Sequence, residues 1–136
     1  MHFERTAQQI KKIILHCSAS DNPSHDNIDT IREWHKRRGF IDIGYHYVIT
    51  QKGFVFNGRD LCVTGAHCQG ENINSIGICL TGRQFFKPAQ FKAARNLCET
   101  LFVNFNLTQN DVYPHNYFNK FKTCPNFNLN KIFPCK

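Results

Sequence analysis

Two apolar runs, Ile13-Ile14-Leu15 and Ser75-Ile76-Gly77-Ile78-Cys79-Leu80, constrain this chain more than any other feature of it. Neither alternates with polar residues, so each reads as a short strand buried on both faces. Such strands need other elements packed over their sheet, and the remaining sequence supplies them. Ile28, Ile31, Trp34 and Arg38 recur at helical spacing, and Gly39 offers a left-handed stop, which predicts a helix. His46 to Thr50, a turn at Gln51-Lys52-Gly53, and Phe54 to Phe56 predict a hairpin. Pro88 suits the first turn of a second helix with the stripe Phe91, Ala94, Cys98, Leu101 and Phe105. Val112-Tyr113-Pro114 reads as a short extended segment. Ser18 to Asn27 reads as a loop, and the Pro- and Asn-rich tail from Lys122 as loop plus one short helix. The expected class is α/β: a central mixed β-sheet flanked by helices.

At 136 residues, of which 41% are hydrophobic, the chain has the material for one domain spanning 1–136, with a core that needs no disulfide staples. Its seven cysteines are odd in number and several lie inside apolar runs, a pattern of reduced thiols. Cys17, Cys79 and Cys98 read as small hydrophobes, and Cys62 and Cys68 lack the second pair that a zinc knuckle requires. The formal net charge of +7 draws the surface to polyanions without choosing among them. Scattered basic residues, with no long run and no helix-turn-helix, zinc-finger or RNP-like pattern, argue against a nucleic-acid partner. No stretch is long and apolar enough for a signal peptide or a membrane insertion, so synthesis in the cytoplasm without a signal peptide is expected.

Three residues carry metal-binding chemistry at places where they can converge. His16 ends the first buried run, His115 follows Val112-Tyr113-Pro114, and Cys124 lies in Lys122-Thr123-Cys124-Pro125. Two imidazoles and a thiolate suit Zn²⁺, and three protein ligands leave a fourth tetrahedral position open. Seven His and seven Cys allow many other triplets, so spacing alone does not select this one.

Longer motifs narrow the choice. Leu15-His16-Cys17-Ser18-Ala19-Ser20 resembles the opening motif of the type-2 N-acetylmuramoyl-L-alanine amidases, which include phage amidase-type lysozymes and have peptidoglycan recognition proteins as relatives. Ile31-Arg32-Glu33-Trp34-His35, Arg38-Gly39-Phe40 and Asp42-Ile43-Gly44-Tyr45-His46-Tyr47 match next in the family's order. They are followed by Gly58-Arg59-Asp60, Gly65-Ala66-His67-Cys68 and Asn74-Ser75-Ile76-Gly77-Ile78, then Pro114-His115-Asn116 and Lys122-Thr123-Cys124-Pro125-Asn126-Phe127. The similarity runs over about residues 12 to 129.

That resemblance implies one zinc per chain held by His16, His115 and Cys124, and hydrolysis of the amide between N-acetylmuramic acid and L-alanine of peptidoglycan. It implies that Tyr45 positions water or the substrate carbonyl, and that Lys122 supplies positive charge to the oxyanion. His67 is implied as substrate-contacting or as a support for a ligand. The expected enzyme is endolysin-like, a monomer acting on the bacterial wall after release. Two alternatives stand beside it: a non-catalytic peptidoglycan-recognition module, and an amidase that also restrains a phage RNA polymerase. Recognition-only relatives usually lack the cysteine, and no surface here marks polymerase binding. Eight residues separate His115 from Cys124, one more than in the phage members, so Asn116 to Phe121 must bulge. The stretch from Gly82 to Pro88 trims a loop that is longer in those relatives. Other polar and aromatic residues take plainer readings. Trp34 and Phe40 are expected in the core, and His2, His25 and His35 on the surface or a helix face without a role. Arg59 is expected in an ion pair, and His46 buried and hydrogen-bonded on the face opposite Tyr45.

Overall fold

The computed structural model describes residues 3–134, so His2 and Cys135 lie outside the described residues. In chain order the main elements are β1 (Lys12–Cys17), α1 (Ile28–Arg37), β2 (Tyr47–Ile49), β3 (Val55–Asn57), β4 (Ser75–Leu80), α2 (Pro88–Phe105), β5 (Val112–Pro114) and α3 (His115–Phe118). The five strands form one sheet in the order β3-β2-β4-β1-β5. β1 runs parallel to both β4 and β5, and β2 parallel to β4. The hairpin partner β3 is antiparallel, which makes the sheet mixed.

The unbroken apolar runs sit where both faces are covered. On one face Ile13, Leu15, Ile76, Ile78, Leu80 and Ile49 pack with Ala94, Cys98 and Leu101 of α2. On the other, Val48 and Cys79 pack with Ile31 of α1 and with Ile43. Pleating sends alternate residues of each strand to opposite faces, so one strand feeds both layers.

Local chemistry fixes the helix ends. Asn27 caps α1 by accepting from the Thr30 N–H at 2.8 Å, and His35, Lys36 and Arg37 complement the negative end of its dipole. Gly39 then takes φ +94° and turns the chain away. Pro88 opens α2, which closes at Asn106 in the left-handed conformation. The tail is loop with a 3₁₀ turn at Leu129–Lys131, and it buries Ile132 and Phe133 against the α2 layer. The four-residue α3 is an addition to the sequence reading, and it takes up part of the long His115–Cys124 stretch.

The first described residues are tied in firmly. Arg5 is buried, and its guanidinium donates to the carbonyls of Leu61, Asn72, Ile73 and Ser75 at 2.6–3.1 Å. Desolvation lowers its pKa to about 10.

Leu101, fully enclosed between α2 and the sheet, tests the main core. Leu101→Ala is expected to destabilise the fold by about 2–5 kcal/mol, read as a lower urea midpoint with unchanged slope.

Candidate metal centre

Strand register brings the three proposed donors together. Leu15 pairs with Pro114 across β1 and β5, so the residues that follow, His16 on β1 and His115 at the start of α3, stand side by side. Their ring centroids are 4.5 Å apart. Cys124 arrives from the following loop, with Sγ 3.9 Å from His16 Nδ1. The donor atoms of His16, His115 and Cys124 all lie within 4.8 Å of one another. Two ligands on a tetrahedral zinc stand roughly 3.3–3.6 Å apart, given Zn–N ~2.0–2.1 Å and Zn–S ~2.3 Å. The remaining gap is within reach of side-chain torsions, and the donor set has the borderline-soft character zinc prefers.

A chain of hydrogen bonds decides which His16 nitrogen faces the cluster. Ser75 Oγ donates its proton to the Glu71 carbonyl at 2.5 Å, so toward His67 Nε2, 3.4 Å away, it acts as acceptor. His67 therefore carries its proton on Nε2 and accepts at Nδ1, which lies 2.8 Å from His16 Nε2. His16 in turn is protonated at Nε2 and presents the Nδ1 lone pair to His115 and Cys124. This is the arrangement of a metal-ligating imidazole whose second nitrogen is fixed by a partner.

Two glycines make room for that partner. A Cβ on Gly77 would come within 2.6 Å of the His67 ring, and one on Gly65 within 2.7 Å of it. Gly77 pairs with Ile14 on β1 and shares the face of His16, so the missing side chain leaves the slot the imidazole fills. Asn72 Oδ1 accepts from the backbone N–H of both His67 and Cys68 at 2.9 Å, holding the loop that delivers the ring.

Electrostatics favour neutral imidazoles. Burial, reinforced by His115, holds His16 well below the ordinary histidine value, and burial with His16 nearby does the same to His67. Burial and the Lys122 ammonium lower His115. The Cys124 thiol is pushed up by its hydrogen bond with Cys17 and by burial, while the Cys17 backbone N–H donates to its sulfur at 3.2 Å. Without a cation the sulfur keeps its proton, whereas a bound cation favours the thiolate.

The cluster opens on a cleft of about 800 Å³, lined by Tyr45, His67, His115, Lys122 and Cys124 together with α1 residues. The Tyr45 ring lies 5.0 Å from His16, and burial raises its pKa well above the ordinary phenol value. Lys122 is exposed at the cleft.

A family model described as N-acetylmuramoyl-L-alanine amidase matches residues 6–127. The chain belongs to that amidase family. It is similar to the endolysin of Klebsiella phage KP32, 35% identical over 136 residues that span 91% of this chain and 85% of the relative. It is also similar to the endolysin of Enterobacteria phage T3, 37% identical over 131 residues that span 88% of this chain and 82% of the relative. Among solved structures, the endolysin N-acetylmuramoyl-L-alanine amidase LysCS of Clostridium intestinale URNW superposes with a TM-score of 0.84. It is 27% identical, and the superposition covers 98% of this chain and 87% of that one.

The amidase departs from its sequence reading at several side chains. His35 is buried rather than idle on a helix face, and its Nδ1 accepts from the Gly44 N–H at 2.8 Å. Its ring lies 5.2 Å from Tyr45, so it supports the strand end that carries that tyrosine. The signal was available, because His35 falls four residues after Ile31 on the inward face of α1. His25 is likewise half-buried, with Nδ1 at 2.8 Å from Ser20 Oγ and its ring edge-on to Trp34. Trp34 is half-buried and packs against the Ile31, Ile43, Val48 and Cys79 cluster while also lining the cleft, whereas Phe40 is a half-buried cleft residue outside both core clusters. Among the described residues Arg59 makes no ion pair; it donates to the carbonyls of Asp42, Ile43 and Thr64, where irregular backbone needs donors. Cys17 does more than fill space, because its amide grips the Cys124 sulfur. His46 is buried and hydrogen-bonded as the pleat predicts. Its Nδ1 accepts from Gly77 N–H at 3.1 Å, and the protonated Nε2 donates to Val63 O at 2.9 Å. The stretch trimmed after Gly82 is held by Asp21 Oδ1, which accepts from the N–H of Arg83, Gln84 and Phe85. The six described cysteines, Cys17, Cys62, Cys68, Cys79, Cys98 and Cys124, are free thiols. No described helix is long and apolar enough to cross a membrane.

Burial lowers the pKa of His35 and of His46 from 6.5 to about 4. Between those values the unfolded chain binds protons that the folded amidase refuses, so stability falls as pH drops through this window. Urea midpoints measured from pH 7 down to about 4 are expected to decline steadily, and a flat profile would contradict neutral buried imidazoles.

Proposed function

We propose that this amidase hydrolyses the bond between N-acetylmuramic acid and the L-alanine of the stem peptide, using one zinc ion held by His16, His115 and Cys124. The convergence of these donors within 4.8 Å at an open cleft carries the reading. When bound, zinc supplies Lewis acidity that polarises a carbonyl and brings the pKa of water to ~7.

The other roles belong to the chain's own side chains. His67 fixes the tautomer and orientation of His16 through the 2.8 Å contact. Attack on an amide places negative charge on its oxygen, and the Lys122 ammonium at the cleft offsets that charge. Tyr45, with its pKa raised, keeps its proton and serves as a hydrogen-bond donor toward the carbonyl or the attacking water. We place the site of action at the bacterial wall.

Digestion of purified sacculi is expected to release new L-alanine amino termini without new reducing sugar ends; reducing ends would make the enzyme a glycosidase. Elemental analysis is expected to find about one zinc per chain, lost with activity in Cys124→Ser. Activity in zinc-free protein would end this mechanism. Lys122→Ala is expected to lower kcat by about 10²–10³-fold while zinc content stays unchanged. Unaltered turnover would remove Lys122 from the chemistry.

A further inference from the structure

Phe121 covers almost none of itself, with 99% of its surface exposed. A ring of that size normally finds apolar cover. It is nonetheless held in place rather than left on a loose tip. Its N–H donates to Asn119 Oδ1 at 3.1 Å, and the next N–H, of Lys122, donates to the Asn119 carbonyl at 3.0 Å. The nearby aromatic residues pack without it, since Tyr113, Tyr117 and Phe118 contact one another at 5.0–5.3 Å. The turn thus displays a bare phenyl ring on the lining of the cleft, three residues from Cys124.

The chemistry of such a ring selects its ligand. Phe has a flat apolar face and no polar tip, so it suits another flat face of C–H groups. A pyranose presents one; a stem peptide presents short side chains and carboxylates. The part of the cleft contributed by α1 and the turn after it is different in kind. There Arg38 holds its guanidinium 5.1 Å from the Phe40 ring, which offers charge to an anionic arm. We propose that Phe121 is a specificity residue that stacks on a sugar ring of the glycan strand beside the scissile bond. This rests on reading the cleft as a peptidoglycan site.

The test separates sugar binding from hydrolysis. Peptide-free strands of alternating N-acetylglucosamine and N-acetylmuramic acid are titrated into the full chain while the Phe121 ring signals are followed by NMR. The strands are expected to shift those signals. Phe121→Ala is expected to weaken binding about tenfold and Phe121→Trp to restore it. On polymeric peptidoglycan, Phe121→Ala is expected to raise KM about tenfold with kcat nearly unchanged. No strand binding by the wild type, or equal binding by wild type and Phe121→Ala, overturns the inference. So does a Phe121→Ala variant that keeps glycan binding but loses adhesion to anionic phospholipid vesicles, which would assign the ring to a lipid surface. A wild type that binds strands through Phe121 yet frees no L-alanine amino groups overturns the amidase reading instead and leaves the stacking contact standing.

Discussion

The 2.8 Å contact between His16 and His67 is the interaction on which the rest of the site depends. An imidazole has two nitrogens, and only one can face a metal while the other is held. Here the holding is relayed from the Glu71 carbonyl through Ser75 and His67, so the free lone pair of His16 points toward His115 and Cys124. Without that relay nothing would hold the His16 ring and its Nδ1 lone pair in a fixed orientation toward the cluster. The features around it serve the same end: the bare backbone of Gly77 and Gly65 admits the ring, and Asn72 steadies its loop.

The sheet explains why such distant residues meet. His16 and Cys124 are 108 positions apart, yet β5 pairs with β1 in a register that sets His115 beside His16 and starts the loop that returns with Cys124. Parallel pairing is essential to this, because it places the carboxyl ends of β1 and β5 at the same edge of the sheet. The antiparallel strand β3 lies at the far edge, and the chain leaving it holds Tyr45, since the Arg59 N–H donates to the Tyr45 carbonyl at 2.8 Å.

Much of this was legible in the residues. The apolar runs Ile13–Leu15 and Ile76–Leu80 announced buried strands, Gly39 closed α1, and Pro88 opened α2, because each rests on chemistry local to a few positions. The three candidate metal donors were singled out in order along the chain, and the register of β1 and β5 supplied the distance that order lacks. Side-chain surroundings were the harder part. His35 looked idle although its spacing from Ile31 put it on the inward face of α1; its partner was the part no pattern marks, because the Gly44 amide it accepts from belongs to a separate segment. Phe40 looked like core because apolar bulk does not reveal whether a cleft or a sheet lies beyond it. Arg59 looked like half of an ion pair, whereas its partners are carbonyls, which every residue has and no sequence pattern marks.

The buried guanidinium of Arg5 has a practical bearing. It gathers carbonyls from the segments on both sides of the His67 loop, including that of Asn72, whose side chain steadies the loop. The amino-terminal arm is therefore a brace for machinery lying some sixty positions downstream. A substitution that removes the Arg5 guanidinium would strip several carbonyls of their donor at once and slacken the relay without touching His16, His115 or Cys124.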